Sequence, residues 1–308
     1  MSRQQREALD QMMRNGPLDI AGDPAEQRAV FERMLTARPL ADDVTATPGV
    51  LGGVPVLTIE AGGASTETVL LWFHGGWYAM GSPRTSAGLS SEVARRTGAR
   101  VVSVDYRLAP EHPYPAALQD ARSAYQALLD GGTDPRSVVF VGESAGGGLA
   151  AATLAGLHAD GLPQPACAVL FSPWTDLTLR GASMTSKAGI DPSFAPEKVR
   201  VRAADYLGAA GAAADPSVSP LFADLTGLPP LLIQAGSHEI LLDDSTRLAA
   251  RAAAADVAVT LDVTPGVPHL FQSFSAMLDE GDAALSRVAA FLHAHVGSPV
   301  SRAAGLQG

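Results

Sequence analysis

The chain has 308 residues, 46% of them apolar, enough for one sizeable core with an appendage rather than two independent domains. A net charge of −10, spread without long charge runs, argues against a nucleic-acid or anionic-membrane partner. Cys167 is the single cysteine, so no intrachain disulfide can form, and within the apolar run ACAVLF it reads as a packed core thiol.

The N-terminal stretch MSRQQREALDQMMRNG is charged throughout. No signal peptide is read there, and the longest apolar run, Ala145–Leu157, is too short to span a bilayer, so the expected location is cytoplasmic. Residues 1–45 carry two helical stripes, Leu9/Met12/Met13 and Val30/Phe31/Met34/Leu35. Strands are then predicted at Val54–Ile59, Thr68–Phe73, Arg100–Val104, Ser137–Val141, Cys167–Phe171, Leu231–Gln234 and Val257–Val263. Most are apolar at consecutive positions, the pattern of strands covered on both faces. Helices alternate with them. Pro115 opens one bearing Leu118, Ala121, Tyr125 and Leu128, and Asp282 caps a last one bearing Leu285, Val288, Leu292 and Val296. The alternation predicts a mainly parallel α/β sheet. Residues 181–220 interrupt it, and with residues 1–45 they suggest a two-part helical cap.

Three stretches carry chemistry. In LLWFHGGWYAMGS (70–82) a strand delivers His74-Gly75-Gly76-Trp77 into a loop whose glycines let backbone amides approach a single point. In VDYRLAPEHPYPAALQD (104–120) prolines fix a turn before a helix, and Asp105, Arg107 and Glu111 read as structural hydrogen-bond and ion partners. In VVFVGESAGGGLAAATL (138–154) a strand runs through Gly-x-Ser-x-Gly into a helix, the nucleophile-elbow pattern. Gly142 and Gly146 leave room for a strained bend that projects the Ser144 oxygen, and the helix N-terminus faces any anion forming there.

Together these stretches resemble the hormone-sensitive-lipase family of α/β-hydrolase esterases, from about Val69 to Phe274. The resemblance implies an α/β-hydrolase fold: a mainly parallel eight-stranded sheet with helices on both faces and a helical cap. Its parts would be 1–45 and 181–220 for the cap, and 46–180 and 221–308 for the core. It implies a serine carboxylesterase acting on small-molecule esters of short to medium acyl chain, with no cofactor and no metal, and it is compatible with a homodimer. Two departures stand out. Trp77 occupies the family's usual third glycine, and Glu143 precedes the serine where aspartate or threonine is more common.

The site then assembles as follows. Ser144 is the nucleophile, and the amides of Gly75, Gly76 and Ala145 form the oxyanion hole. Of seven histidines, His269 in TPGVPHLFQSF lies on the loop after the last strand and follows the serine in the order these hydrolases use. For the acid, Glu239, Asp243 and Asp176 compete. The family pattern Asp-x-Leu-x-Asp lands on Glu239–Asp243 and puts the carboxylate at Glu239, three residues beyond the strand-ending Gly236, whereas Asp243 reads as a helix cap. The longer glutamate side chain calls for a second anchor from a nearby backbone N–H. Met34, Trp77, Phe194 and Tyr206 are expected to line the substrate pocket. GSHEILLDDS and GVPHLFQSF are also similar to proteins described as lactone hydrolases, so ring opening on the same residues is the alternative reaction. A ligand-binding member of the fold is the alternative from outside catalysis.

Overall fold

The computed structural model describes residues 2–62 and 67–296. Two helices, α1 (Ser2–Arg14) and α2 (Pro24–Leu35), precede the hairpin β1 (Val44–Leu51) and β2 (Val54–Ala61). A β/α succession follows: β3 (Val69–Phe73), α3 (Ala87–Thr97), β4 (Arg100–Val104), α4 (Ala116–Asp130), β5 (Val138–Glu143), α5 (Ala145–Ala159) and β6 (Cys167–Phe171). After the short α6 (Ser183–Ser186) and α7 (Pro196–Leu207), the alternation resumes with β7 (Leu231–Gly236), α8 (Leu242–Ala254), β8 (Val259–Thr264) and α9 (Asp279–His295).

The eight strands form one sheet in the order β1-β2-β4-β3-β5-β6-β7-β8. The pairs β1/β2 and β2/β4 are antiparallel, and every later pair is parallel. Alternate residues of the central strands feed two cores. Leu71, Phe73 and Phe140 pack with Ala121 and Tyr125 of α4, Leu149 of α5 and Leu248 of α8. Leu70, Trp72 and Val141 pack with Val93 of α3 and with Leu285, Val288 and Leu292 of α9. Helices therefore cover both faces, as the run of consecutive apolar residues in each strand requires. Among the described residues, no helix is long and apolar enough to cross a membrane.

Two local expectations change. Strand β1 escapes the sequence pattern because Pro48 and Gly49 interrupt it; it survives because it is an exposed edge strand, where a missing N–H costs no ladder bond. Asp282 does not cap α9: Leu278 holds the cap position, and Asp282 lies in the first turn, bonded to Arg96 at 2.5 Å.

The two helical segments outside the alternation hold each other. Arg14 donates to Gly189 O and Ile190 O at 3.3 and 2.9 Å, Arg202 donates to Gly22 O at 3.2 Å, and Lys198 pairs with Asp19 at 3.1 Å. Leu9 of α1 is fully buried against Val267 and Phe271, on either side of the loop that carries His269.

Candidate active site

Strand β5 ends in a bend that only a particular set of residues can form. Ser144 has φ 53° and ψ −117°, a conformation costing on the order of 1–3 kcal/mol for a residue with a Cβ. Its neighbours remove the steric obstacles. A Cβ on Gly142 would lie 2.3 Å from Gly146 O, and one on Gly146 only 2.0 Å from Phe73 O. Hydrogen bonds over-determine the bend. Ser144 N donates to Phe171 O at 2.8 Å, while Ser144 O accepts from Gly147, Gly148 and Trp174 at 3.0, 3.1 and 2.9 Å.

The loops after β7 and β8 bring Glu239 and His269 together. Glu239 Oε2 lies 2.5 Å from His269 Nδ1, and Glu239 Oε1 accepts the Gly236 N–H at 3.1 Å. A carboxylate can only accept, so the ring carries its proton on Nδ1 and leaves a lone pair on Nε2. That Nε2 is buried and has no hydrogen-bond partner among the described residues. The next residue, Leu270, donates to Ser172 Oγ at 3.3 Å, and Ser172 directly follows the Phe171 that holds Ser144 N. The histidine loop is thereby tied to the same end of the sheet as the serine bend.

The loop after β3 passes over the serine: a Cβ placed on Gly75 would sit 3.5 Å from Ser144 Cβ. Among the described residues, no acceptor is found for the N–H groups of Gly75, Gly76 and Ala145. Gly76 adopts φ +122°, where any Cβ would collide with Met80 O at 2.2 Å. His74 is fully buried; burial pushes its imidazole down to about 4, so the neutral ring donates through Nδ1 to Gly75 O at 2.8 Å. The proline-rich stretch braces this loop. Tyr106 stacks on His74 at 4.1 Å and donates to His74 O at 2.8 Å. Arg28 of α2 donates to Ala79 O and Ala109 O, both at 2.9 Å, and forks onto Glu111, whose carboxyl it holds down at about 2. Arg107 grips Asp120. Beneath the serine, burial pushes the Glu143 carboxyl up to about 7, where it accepts the Trp72 indole N–H at 2.5 Å.

A strained serine, a buried histidine–carboxylate pair and unpaired amides lie at one end of the mainly parallel sheet, and the sheet and its sequence have known relatives. The family model of the α/β-hydrolase fold matches residues 70–273. The chain belongs to that family, in its bacterial hormone-sensitive-lipase branch. A solved esterase of that branch superposes with a TM-score of 0.92 at 42% identity, covering 96% of this chain and 99% of its own. An acetyl-hydrolase of Streptomyces hygroscopicus is 41% identical over 81% of this chain and 86% of its own length. An esterase of Acinetobacter venetianus is 38% identical over 87% of this chain and 88% of its own.

Within this α/β-hydrolase the other expected groups fall in different places. Phe194 packs its ring 4.6 Å from the His269 ring, and Trp77 lies behind it, 5.0 Å from the Phe194 ring. Tyr206 stands one layer back, stacked on Tyr78 at 3.7 Å. Met34 is 39% exposed, and the α2 side chain that reaches Trp77 is Phe31, at 5.7 Å. Asp243 does not cap α8, whose cap position is Leu241: its Oδ2 accepts the Ser183 N–H at 3.1 Å and ties the start of α6 to α8. Asp176 is fully buried, paired with Arg247 at 2.7 Å and bonded to Thr178. His112 and His293 are exposed, and His158 ends α5. Cys167 is fully buried in β6, and burial pushes its thiol up to about 12. Two residues near the site were not singled out by sequence reasoning. Phe31 was one of an apolar stripe without a partner, and Asp191 lay unremarked in a turn-forming Asp-Pro-Ser.

Proposed function

We propose that the protein hydrolyses short- to medium-chain acyl esters through an acyl-enzyme on Ser144. That it is a carboxylic ester hydrolase rests on its family and on relatives such as the esterases and acetyl-hydrolase above. The observation that carries the finer reading is the His269 Nδ1–Glu239 Oε2 contact at 2.5 Å, which leaves Nε2 unpaired.

In this reading His269 Nε2 takes the Ser144 hydroxyl proton as Oγ attacks the ester carbonyl carbon. The carbonyl π pair moves onto oxygen, and the N–H groups of Gly75, Gly76 and Ala145 receive the oxyanion. Collapse of the tetrahedral intermediate expels the alkoxide, which takes the proton from Nε2 and leaves as the alcohol. Water then attacks the acyl-enzyme with the same base, and the carboxylic acid departs. Glu239 holds the imidazolium charge throughout and, anchored on Gly236 N, keeps the ring in its useful tautomer. Residues 1–45 and 181–220 act as a cap, and Trp77, Phe31 and Phe194 set acyl size. A homodimer remains part of the proposal, and light scattering on the purified protein decides it.

The test is Ser144→Ala against wild type on p-nitrophenyl acetate and butyrate, with circular dichroism as the folding control. Turnover should vanish in a folded variant, since alanine fits wherever the serine Cβ fits. Near wild-type kcat would end the acyl-enzyme reading.

A further inference from the structure

Asp191 lies between α6 and α7, and its carboxylate is buried. It accepts three backbone N–H groups. Oδ1 takes those of Ser193 and Phe194 at 2.8 and 3.0 Å, a tight local turn, and Oδ2 takes that of Ile240 at 2.9 Å, 49 residues away. Both ends of this grip lead to the site. Ile240 directly follows Glu239, and Phe194 presents its ring to His269 at 4.6 Å. No lysine, arginine or histidine forms an ion pair with Asp191 among the described residues.

We propose that Asp191 is a positioning residue for the histidine and acid of the site: it pins the backbone beside Glu239, seats Phe194 against His269 and sets a negative charge facing the ring. This rests on the serine-esterase reading above. Desolvating a buried carboxylate is costly, although amides on both of its oxygens call for acceptors that an asparagine NH2 cannot supply. The cost is understandable where a positive charge develops nearby. Burial raises the Asp191 carboxyl, and the Ile240 and Ser193 amides, followed by the charge of His269, pull it back down. The same ring charge acts weakly on Glu143 below the serine, so Glu143 and Asp191 lie within electrostatic reach of the imidazole that Glu239 contacts directly. Asp191 touches no reacting atom in this scheme. It acts through Ile240, Phe194 and its own field.

Asp191→Asn preserves shape and one acceptor oxygen while removing the charge. Wild type, Asp191→Asn and Phe194→Leu should be compared on p-nitrophenyl acetate for kcat, KM and the pH dependence of kcat/KM, with thermal melting alongside. In Asp191→Asn, kcat should fall between about 10- and 100-fold with KM nearly unchanged, the signature of lost transition-state geometry. The acid limb of kcat/KM should also move to lower pH, because the imidazolium loses a facing anion. A purely structural carboxylate would lower the melting temperature and leave that limb where it was. A folded Asp191→Asn with kcat within about twofold of wild type and an unmoved acid limb overturns the proposal. Should the variant not fold, Phe194→Leu decides: it keeps apolar volume and removes the ring contact, so a loss of kcat at constant KM supports the role and unchanged kcat overturns it. A wild-type enzyme inert toward every ester would strike down the esterase reading and this proposal with it. An active wild type matched by both variants strikes down only the role of Asp191.

Discussion

Glu239 is held at both ends: Oε2 meets His269 Nδ1 at 2.5 Å, and Oε1 accepts the amide of Gly236, three residues earlier, at 3.1 Å. The second bond offsets the rotamer freedom that glutamate has and aspartate lacks. Glu239→Gln should therefore cost about 10³- to 10⁴-fold in kcat, since the amide keeps the shape but favours the wrong tautomer of the histidine. Asp243→Asn should leave kcat nearly unchanged. Its side chain serves Ser183 N at the start of α6, and an asparagine oxygen can still accept that bond. Measuring both variants on one p-nitrophenyl ester, with circular dichroism for folding, separates the two carboxylates. If Asp243→Asn is the crippled one, the proposed role of Glu239 falls.

What could be read from the residues follows the range of the interactions. Strands such as Val69–Phe73 and Val138–Glu143 are visible because a β-branched and apolar run needs both faces covered, whatever covers them. The Ser144 bend is visible because its glycines are local: each clears an atom a few residues or one strand away. The long-range partners of Asp191 and Asp243 are not visible, because those amides lie 49 and 60 residues off and carry no side-chain signature. Phe31 shows the same limit. Its helical stripe tells which face is apolar, while Trp77, a residue at an unusual φ of 56° in a distant loop, decides what that face meets. Strand β1 fails for the opposite reason: Pro48 is a local signal against a strand, overridden by pairing along the whole of β2.

The glycines of the bend and of the surface should respond oppositely to a methyl group. Gly146→Ala would place its Cβ 2.0 Å from Phe73 O and 2.4 Å from His74 O, both backbone atoms that cannot step aside. The expected loss is on the order of 3 kcal/mol or more, seen as a large drop in melting temperature or as insoluble protein. Gly88, exposed in the first turn of α3 with nothing within 4 Å, should accept alanine with a gain of about 0.5 kcal/mol. Equal melting temperatures for the two variants would contradict the packing described around Ser144.

Stability should carry the mark of Glu143. Its carboxyl is raised by burial from 4.5 in the unfolded chain to about 7 in the folded one. Between those values the folded state keeps a proton that the unfolded chain has released. The unfolded chain binds fewer protons, so this contribution to stability declines as pH rises through that window and is flat on either side. Glu143→Gln cannot titrate, and its amide oxygen can still accept the Trp72 N–H. The variant's melting temperature should therefore fall less than that of wild type between pH 5 and about 7.5. Parallel curves would show that Glu143 is ionised in the folded protein.

The last expectation concerns acyl size. An N-terminal truncation is a poor test of a cap here, because Leu9 packs beside the His269 loop and Arg28 holds the loop after Gly76. Either loss would disturb the site itself. Phe31 offers a cleaner probe: it is half-buried, lies on α2, and touches Trp77 at 5.7 Å, with Phe194 and then His269 beyond. Phe31→Ala removes the outermost ring of that row without altering a hydrogen bond. Freed on one side, the Trp77 indole can retreat from the position it holds against Phe194. Longer acyl chains then gain room, whereas acetate, which needs none, does not. On p-nitrophenyl esters from acetate to decanoate, kcat/KM should rise about 10-fold for the longer chains, the worth of roughly two buried methylenes, and stay within about twofold for acetate. Trp77→Ala should shift the preference further in the same direction. An unchanged chain-length profile in both variants would mean that this aromatic row packs α2 onto the core and does not bound the acyl site.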